Sequence, residues 1–207
     1  MVAMRGSSIA WLSAATHVVA SAAMLFLLRE GLPGFDEAHR LAYLGAHRAA
    51  WIFGWMAWQV AVVSLIALYA VLALRFRGVL SVTAMAAATA GMAIDLATQM
   101  RYIAVLPSLH HEAFALLDRE LEMLTGYAAN GLYTLGYAFL AVAGRRSMPK
   151  SANLLAIPVT VSGFALSAAA LLHDARLELI TSAVLFPLFT LWIVVIALWL
   201  KKSESSS

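Results

Sequence analysis

The sequence predicts an all-α integral membrane protein: a six-helix transmembrane bundle with both termini cytoplasmic and one amphipathic helix on the outer surface. Three observations predict it. Six apolar runs fill nearly all of the 207 residues. The charges between those runs are sorted by side. Composition agrees, because 63% of residues are hydrophobic, 12% are charged and mean hydropathy is +0.85, well away from soluble averages.

The runs are Ile9 to Leu28, Ala50 to Leu74, Val79 to Met100, Leu124 to Ala143, Ala152 to Leu172 and Leu179 to Leu200. Each is close to the ~20 residues that span hydrocarbon as a helix. Together they form a single transmembrane domain over residues 1–207, ending in a polar tail at 203–207. One set of linkers is basic: Arg5, then Arg75 and Arg77, then Arg145, Arg146 and Lys150, then Lys201 and Lys202, with Glu204 as its one acid. The alternate set holds Glu30, Asp36, Glu37, Glu112, Asp118, Glu120, Glu122, Asp174 and Glu178 among arginines and histidines. By the positive-inside rule the basic set is cytoplasmic, so the acidic linkers face outward.

Each element has its own signal. The first run begins after Arg5 and passes Ala20-Ser21-Ala22, a small-residue pattern that also suits a cleaved secretory signal. Its continuation through Leu28 exceeds the usual apolar core of such signals and favours an uncleaved helix. Gly31, Pro33 and Gly34 end it and open the outer linker 29–49. The other long outer linker, 101–123, carries a helix start at Pro107-Ser108. Phe114, Leu117, Leu121 and Leu124 then recur at three- and four-residue spacing, which predicts an amphipathic helix over 109–123 running into the fourth span. Its opposite stripe is expected to carry His111, Asp118 and Glu122.

Polar side chains placed where lipid makes them costly are the candidates for chemistry. Asp95 comes first, six residues before Arg101 and so ~9 Å below the outer interface. An ionisable group at that depth is a functional-site hypothesis by default. Gln99 and Tyr102 follow it on the same helix face, and Asn130, Tyr133 and Tyr137 share a face of the fourth helix at similar depth. Trp51, Trp55, Trp58 and Gln59 lie beneath Arg48 on the second helix, and His17 lies near the middle of the first. The expected result is an outward-facing pocket of polar and aromatic groups: Asp95 as the acid or base, with Gln99, Tyr102, Asn130, Tyr133, Trp55, Gln59, Arg48 and His17 around a ligand. Each has a structural alternative. Asp95 can hold the bundle together, Trp51 can anchor in the interfacial belt, His17 can be a satisfied core histidine, and Asn130, Tyr133 and Gln59 can be interhelical hydrogen-bonding groups.

Several chemistries are excluded or weakly marked. The chain has no cysteine, which removes disulfides, thiolate nucleophiles and thiolate metal ligands. The formal charge of +3 is spread over four short linkers, an anchor at lipid headgroups rather than a nucleic-acid footprint. No phosphate loop, His-Glu-x-x-His pair or nucleophile elbow occurs. No span carries a lysine or regularly spaced arginines. A metal site would need His111, Asp118 or Glu122 to meet His173 or Asp174 from the last outer linker. Haem would lack a second intramembrane histidine beside His17. No metal and no particular cofactor is expected on this pattern.

The stretch Leu124-Thr125-Gly126-Tyr127, the basic turn Arg145-Arg146-Ser147-Met148-Pro149-Lys150 and the helix after it resemble the later half of an uncharacterised bacterial family of six-helix membrane proteins. The resemblance covers about half the chain. It implies the same topology in a bacterial inner membrane and supplies no catalytic residues. Three functional classes follow from the residues: a binder or transporter of a small or lipophilic ligand, a membrane-embedded acid–base enzyme acting on a lipid or isoprenoid, and an accessory subunit of a larger membrane complex. In the last, small-residue faces such as Ala86-Ala87-Ala88 and Ala168-Ala169-Ala170 would pack on a membrane partner. The first class is the principal expectation.

Overall fold

A computed structural model describes residues 5–206, apart from the side chain of His111. Among the described residues no strand is present and eight α-helices carry the chain: α1 Gly6–Ala23, α2 Glu37–Ala46, α3 Arg48–Phe76, α4 Val79–Ala104, α5 His111–Glu122, α6 Asn130–Gly144, α7 Lys150–Leu172 and α8 Ala175–Glu204. Five helical segments are long and apolar enough to cross a membrane: Gly6–Gly31, Arg48–Phe76, Val79–Ser108, Lys150–Leu172 and Ala175–Glu204. The expected fourth span is built differently. Its α-helical part, α6, has only 15 residues, about 22 Å at 1.5 Å per residue. It is extended by a π-helical stretch, Met123–Ala129, that joins it to α5.

The six long helices form a closed ring in chain order. α1 packs on α3, α3 on α4, α4 on α6, α6 on α7, α7 on α8, and α8 returns to α1. Short reversals make α3 and α4, α6 and α7, and α7 and α8 antiparallel neighbours, while the long linkers that carry α2 and α5 join α1 to α3 and α4 to α6. Between α3 and α4 the turn is made by Arg77 at φ 52° and Gly78 at φ 94°, a backbone region that glycine enters without steric cost. Between α7 and α8, His173 takes φ 54° and Asp174 then caps α8 by accepting from Leu177 N–H at 2.9 Å. Ser7 donates from its amide and its hydroxyl to the Glu204 carboxylate at 3.1 and 2.5 Å, so the start of α1 and the end of α8 meet at one end of the ring. α4 and α6 approach closely at Gly136, where an added Cβ would lie 2.8 Å from the Ala84 carbonyl oxygen.

Burial sorts the side chains into two apolar clusters. At the level of the termini, Leu68, Tyr69, Leu72, Tyr137, Leu140, Trp192, Ile193 and Ile196 close the centre of the ring. At the opposite end Leu28, Leu44, Trp51, Trp55, Tyr102, Phe114 and Leu121 form a cap beneath α2 and α5. The outside of the ring is apolar as well, with Phe26 81%, Val82 70% and Leu154 70% exposed. A rim so widely apolar is covered by lipid in a membrane protein and is rare on a soluble monomer.

Arg40 of α2 ties the two long linkers together. Its Nη1 and Nη2 donate to both Asp118 carboxylate oxygens at 2.8 and 2.6 Å, its Nε donates to the Gly31 carbonyl at 3.0 Å, and its guanidinium lies over the Phe114 ring. The expectation that Asp118 lies on the polar stripe of the outer helix is therefore corrected. Asp118 is 6% exposed because Arg40, reaching across from the other linker, neutralises it under the cap. α5 does bury Phe114, Leu117 and Leu121 on the predicted apolar face. Trp51 is likewise not an interfacial anchor: it is fully buried and donates its indole N–H to the Tyr102 carbonyl at 2.8 Å. On the surface, the Arg101 guanidinium beside Glu120 holds that carboxyl below its usual range. The pair is exposed and contributes little to stability.

Candidate functional site

Between the terminal-side cluster and the cap the ring encloses a cavity of about 930 Å³, within the range of small-molecule sites. Every helix of the ring contributes to its wall. α1 gives His17, α3 gives Trp55, Trp58, Val62 and Leu65, and α4 gives Asp95, Gln99 and Tyr102. The π-helical stretch and α6 give Thr125, Asn130, Tyr133 and Tyr137, α7 gives Val159 and Leu166, and α8 gives Leu185, Phe186 and Phe189. Its mouth is bordered by Leu25 and Arg29 at the end of the first helical segment, by the turn from Leu32 to Phe35, and by Arg176 and Leu179 at the start of α8. Leu25 is 58% and Leu179 62% exposed, so the mouth has an apolar lip beside Arg29, Arg176 and the half-buried Glu178.

The helices depart from α geometry at two long stretches, Met24–Leu28 and Met123–Ala129, and both border this cavity. A π-turn inserts a residue relative to the α repeat and re-aims the side chains around it, which is why such turns gather at functional sites. In the first, the widened chain packs against α3. In the second, the turn ahead of α6 directs Thr125 at α4, where its hydroxyl donates to Asp95 Oδ1 at 2.5 Å.

Asp95 is the centre of the polar wall. It is 5% exposed. Besides Thr125, Tyr133 O–H donates to its Oδ2 at 3.4 Å, so each carboxyl oxygen accepts a hydrogen bond. Gln99, one turn along α4, also interacts with the carboxyl, yet its Oε1 is buried with no protein partner. The indole N–H groups of Trp55 and Trp58 and the Tyr137 hydroxyl are buried without protein partners too. Buried polar atoms are satisfied in the great majority of cases. With Glu178 Oε1, five such atoms belong to side chains that line this one cavity, so polar capacity is left unmet there.

Aromatic rings complete the wall. Trp55 stacks on Tyr102 with centroids 4.4 Å apart and 7° between planes, and Trp51 meets both edge-on. Trp58 reaches across to Phe186 of α8 at 4.9 Å. The floor is made by His17 edge-on to Phe189 and by Tyr137 edge-on to Trp192. His17 Nδ1 pairs with the Ser13 carbonyl at 2.7 Å.

Of the residues singled out from sequence, Asp95, Gln99, Tyr102, Asn130, Tyr133, Trp55 and His17 all line the one cavity. Asn130 spends its amide on α7, donating to Gly163 O at 2.8 Å and Ser167 Oγ at 2.9 Å, so it fixes the wall as much as it lines it. Arg48 is exposed at the head of α3 and Gln59 is half-buried, and neither borders the cavity. Thr125 is the chief residue that sequence reasoning passed over. A hydroxyl beside Gly126, at the boundary of an apolar run, was its one signal.

The carboxylates and histidines of the acidic linkers come together only in part. Glu122 meets His173 Nδ1 at 3.3 Å, while Arg119 Nε–H donates to His173 Nε2 at 3.0 Å. Both ring nitrogens of His173 are thus engaged, and Asp118 is held by Arg40. Among the described residues no group of three or more His, Asp or Glu side chains is arranged to hold a metal ion. His111, the remaining member of that expectation, has its side chain outside the described part. No protein family, curated protein or solved structure matches this chain.

Proposed function

We propose that the chain is a six-span protein of the bacterial inner membrane, with both termini cytoplasmic, that binds a small lipophilic ligand in the cavity around Asp95. The observation that carries the reading is the set of buried, partnerless donors and acceptors on a mostly apolar wall: Gln99 Oε1, Glu178 Oε1, the Trp55 and Trp58 indoles and the Tyr137 hydroxyl. A few convergent polar groups on an apolar, aromatic lining is the composition of small-molecule sites. Binding is favoured over transport because the terminal side of the cavity is closed by the packed rings of Tyr69, Tyr137, Phe189 and Trp192. The ligand reaches the cavity from the outer side, over the apolar lip at Leu25 and Leu179.

Orientation follows from charge. Arg75, Arg77, Arg145, Arg146, Lys150, Lys201 and Lys202 gather at the end of the ring that holds the termini, which the positive-inside rule makes cytoplasmic. Because the chain has no cysteine, single-cysteine variants report on this cleanly. Glu37→Cys is expected to react with a membrane-impermeant maleimide on intact spheroplasts, and Ser147→Cys only after lysis. The reverse pattern would invert the topology.

Native mass spectrometry of the protein released gently from its own membrane tests the function. A discrete small mass, retained at fixed ratio, is the expected result. A bare chain whose melting temperature also fails to rise with a total lipid extract of the same cells would overturn the reading.

A further inference from the structure

Resting on the reading of the cavity as a ligand site, we infer the ligand's class: an amphiphile bearing a protonated primary or secondary amine, held with its ammonium against Asp95 and Gln99. The argument begins with an unbalanced charge. Asp95 is buried and each of its oxygens accepts a hydrogen bond; a carboxylate meets both donors directly, whereas a carboxylic acid would have to turn its own proton to Gln99 Oε1 one helical turn away. Among the described residues no ion pair reaches it. The two arginines of the cavity, Arg29 and Arg176, stand at its exposed mouth. A buried carboxylate without a counter-charge is costly, and a cation brought by the ligand removes that cost.

The surroundings select the kind of cation. A bare inorganic ion such as calcium takes six to eight oxygen ligands, and sodium likewise needs a shell of oxygens. The wall around Asp95 is instead mostly aromatic and aliphatic in a space of about 930 Å³, many times the ~30 Å³ share of one water molecule. An aromatic ring face attracts an organic ammonium through its quadrupole, and Trp55, Tyr102 and Tyr133 all line the cavity. Gln99 Oε1, one helical turn from Asp95, is a buried acceptor with no protein donor. Two acceptors side by side on α4 call for at least two N–H donors, which an ammonium with protons has and a quaternary one lacks. The indole N–H groups of Trp55 and Trp58 are left for an oxygen on the same ligand. Val62, Leu65, Leu166 and Leu185 take the apolar chain.

The test uses the full chain in nanodiscs of uncharged phosphatidylcholine at neutral pH, with decylamine, decanol and decanoate as probes of one chain length. Intrinsic tryptophan emission reports binding, and empty nanodiscs give the partitioning background. Decylamine is expected to saturate at least about 10-fold tighter than decanol or decanoate, an increment of roughly 1.4 kcal/mol. Asp95→Asn is expected to bring decylamine down to the decanol level, with a cooperative melting transition in detergent showing that the variant is folded. Should Asp95→Asn fail to fold, Gln99→Leu takes its place, with several-fold loss of decylamine affinity. Decanol or decanoate binding as tightly as decylamine, an unaltered decylamine affinity in these variants, or displacement of decylamine by an equal concentration of sodium would each overturn the amine assignment. Absence of saturable binding for all three probes overturns the cavity reading itself.

Discussion

Arg40→Met is expected to destabilise the protein by about 3–5 kcal/mol, because it strands the Asp118 carboxylate beneath the cap formed by α2 and α5 with no charge to answer it. The native pair is well built: two parallel N–H to oxygen bonds of 2.8 and 2.6 Å, with both side chains less than 10% exposed. Bidentate geometry of that kind is the strong form of a charge-assisted bond. Its main effect shows when one partner is lost. The double variant Arg40→Met/Asp118→Leu, which removes both charges and keeps comparable volume, is expected to recover most of the loss. Chemical unfolding in detergent gives the double-variant cycle directly. A single-variant loss below 1 kcal/mol would place the pair with exposed ion pairs, such as Arg101 with Glu120, and sink the account. High salt is expected to leave the native pair intact, since burial shields it from screening. The same guanidinium holds the Gly31 carbonyl, immediately before the turn that borders the cavity mouth, so Arg40→Met also loosens the path to the site.

Asp118 illustrates how far the sequence can be read. Spacing of seven and four residues puts it on one stripe with His111 and Glu122, and helical periodicity has no means of seeing a partner 78 residues away in another linker. The long runs were legible because hydrophobicity and length suffice for them: the five segments that can cross a membrane lie where the apolar runs do. The fourth run was legible as a helix but not as a composite, because a π-turn is set by packing around Thr125 and Gly126 and leaves no periodic trace. At the site, Asp95, Gln99 and Tyr102 were readable together since one helix face carries them. Asn130 and Tyr133 share a helix face as well, yet one turns its amide to α7 while the other reaches Asp95. Trp51 was misjudged by depth alone. An aromatic at the expected level of the interface can also face inward, and only the Tyr102 carbonyl at 2.8 Å shows which.

Ser182→Trp is expected to abolish ligand binding, at least 100-fold, while leaving the protein as stable as the wild type or more so. Ser182 is a half-buried residue of α8 between Leu179 at the lip and Phe186 inside, and it borders the cavity without making any polar contact that the fold depends on. An indole there fills the space in front of Trp58 and Phe186 with apolar surface, so burial gained offsets the side-chain order lost. Asp95, Thr125 and Tyr133 keep their hydrogen bonds, which separates a steric block from a chemical one. The measurement is paired: melting temperature in detergent, and retention of the native small mass in mass spectrometry. Loss of the mass with an unchanged melting curve locates the ligand behind the mouth between the end of the first helical segment and α8. Full retention of the mass in a folded Ser182→Trp protein would place the ligand elsewhere, because the added ring takes up the space between the mouth and Phe186 through which a ligand reaches Asp95.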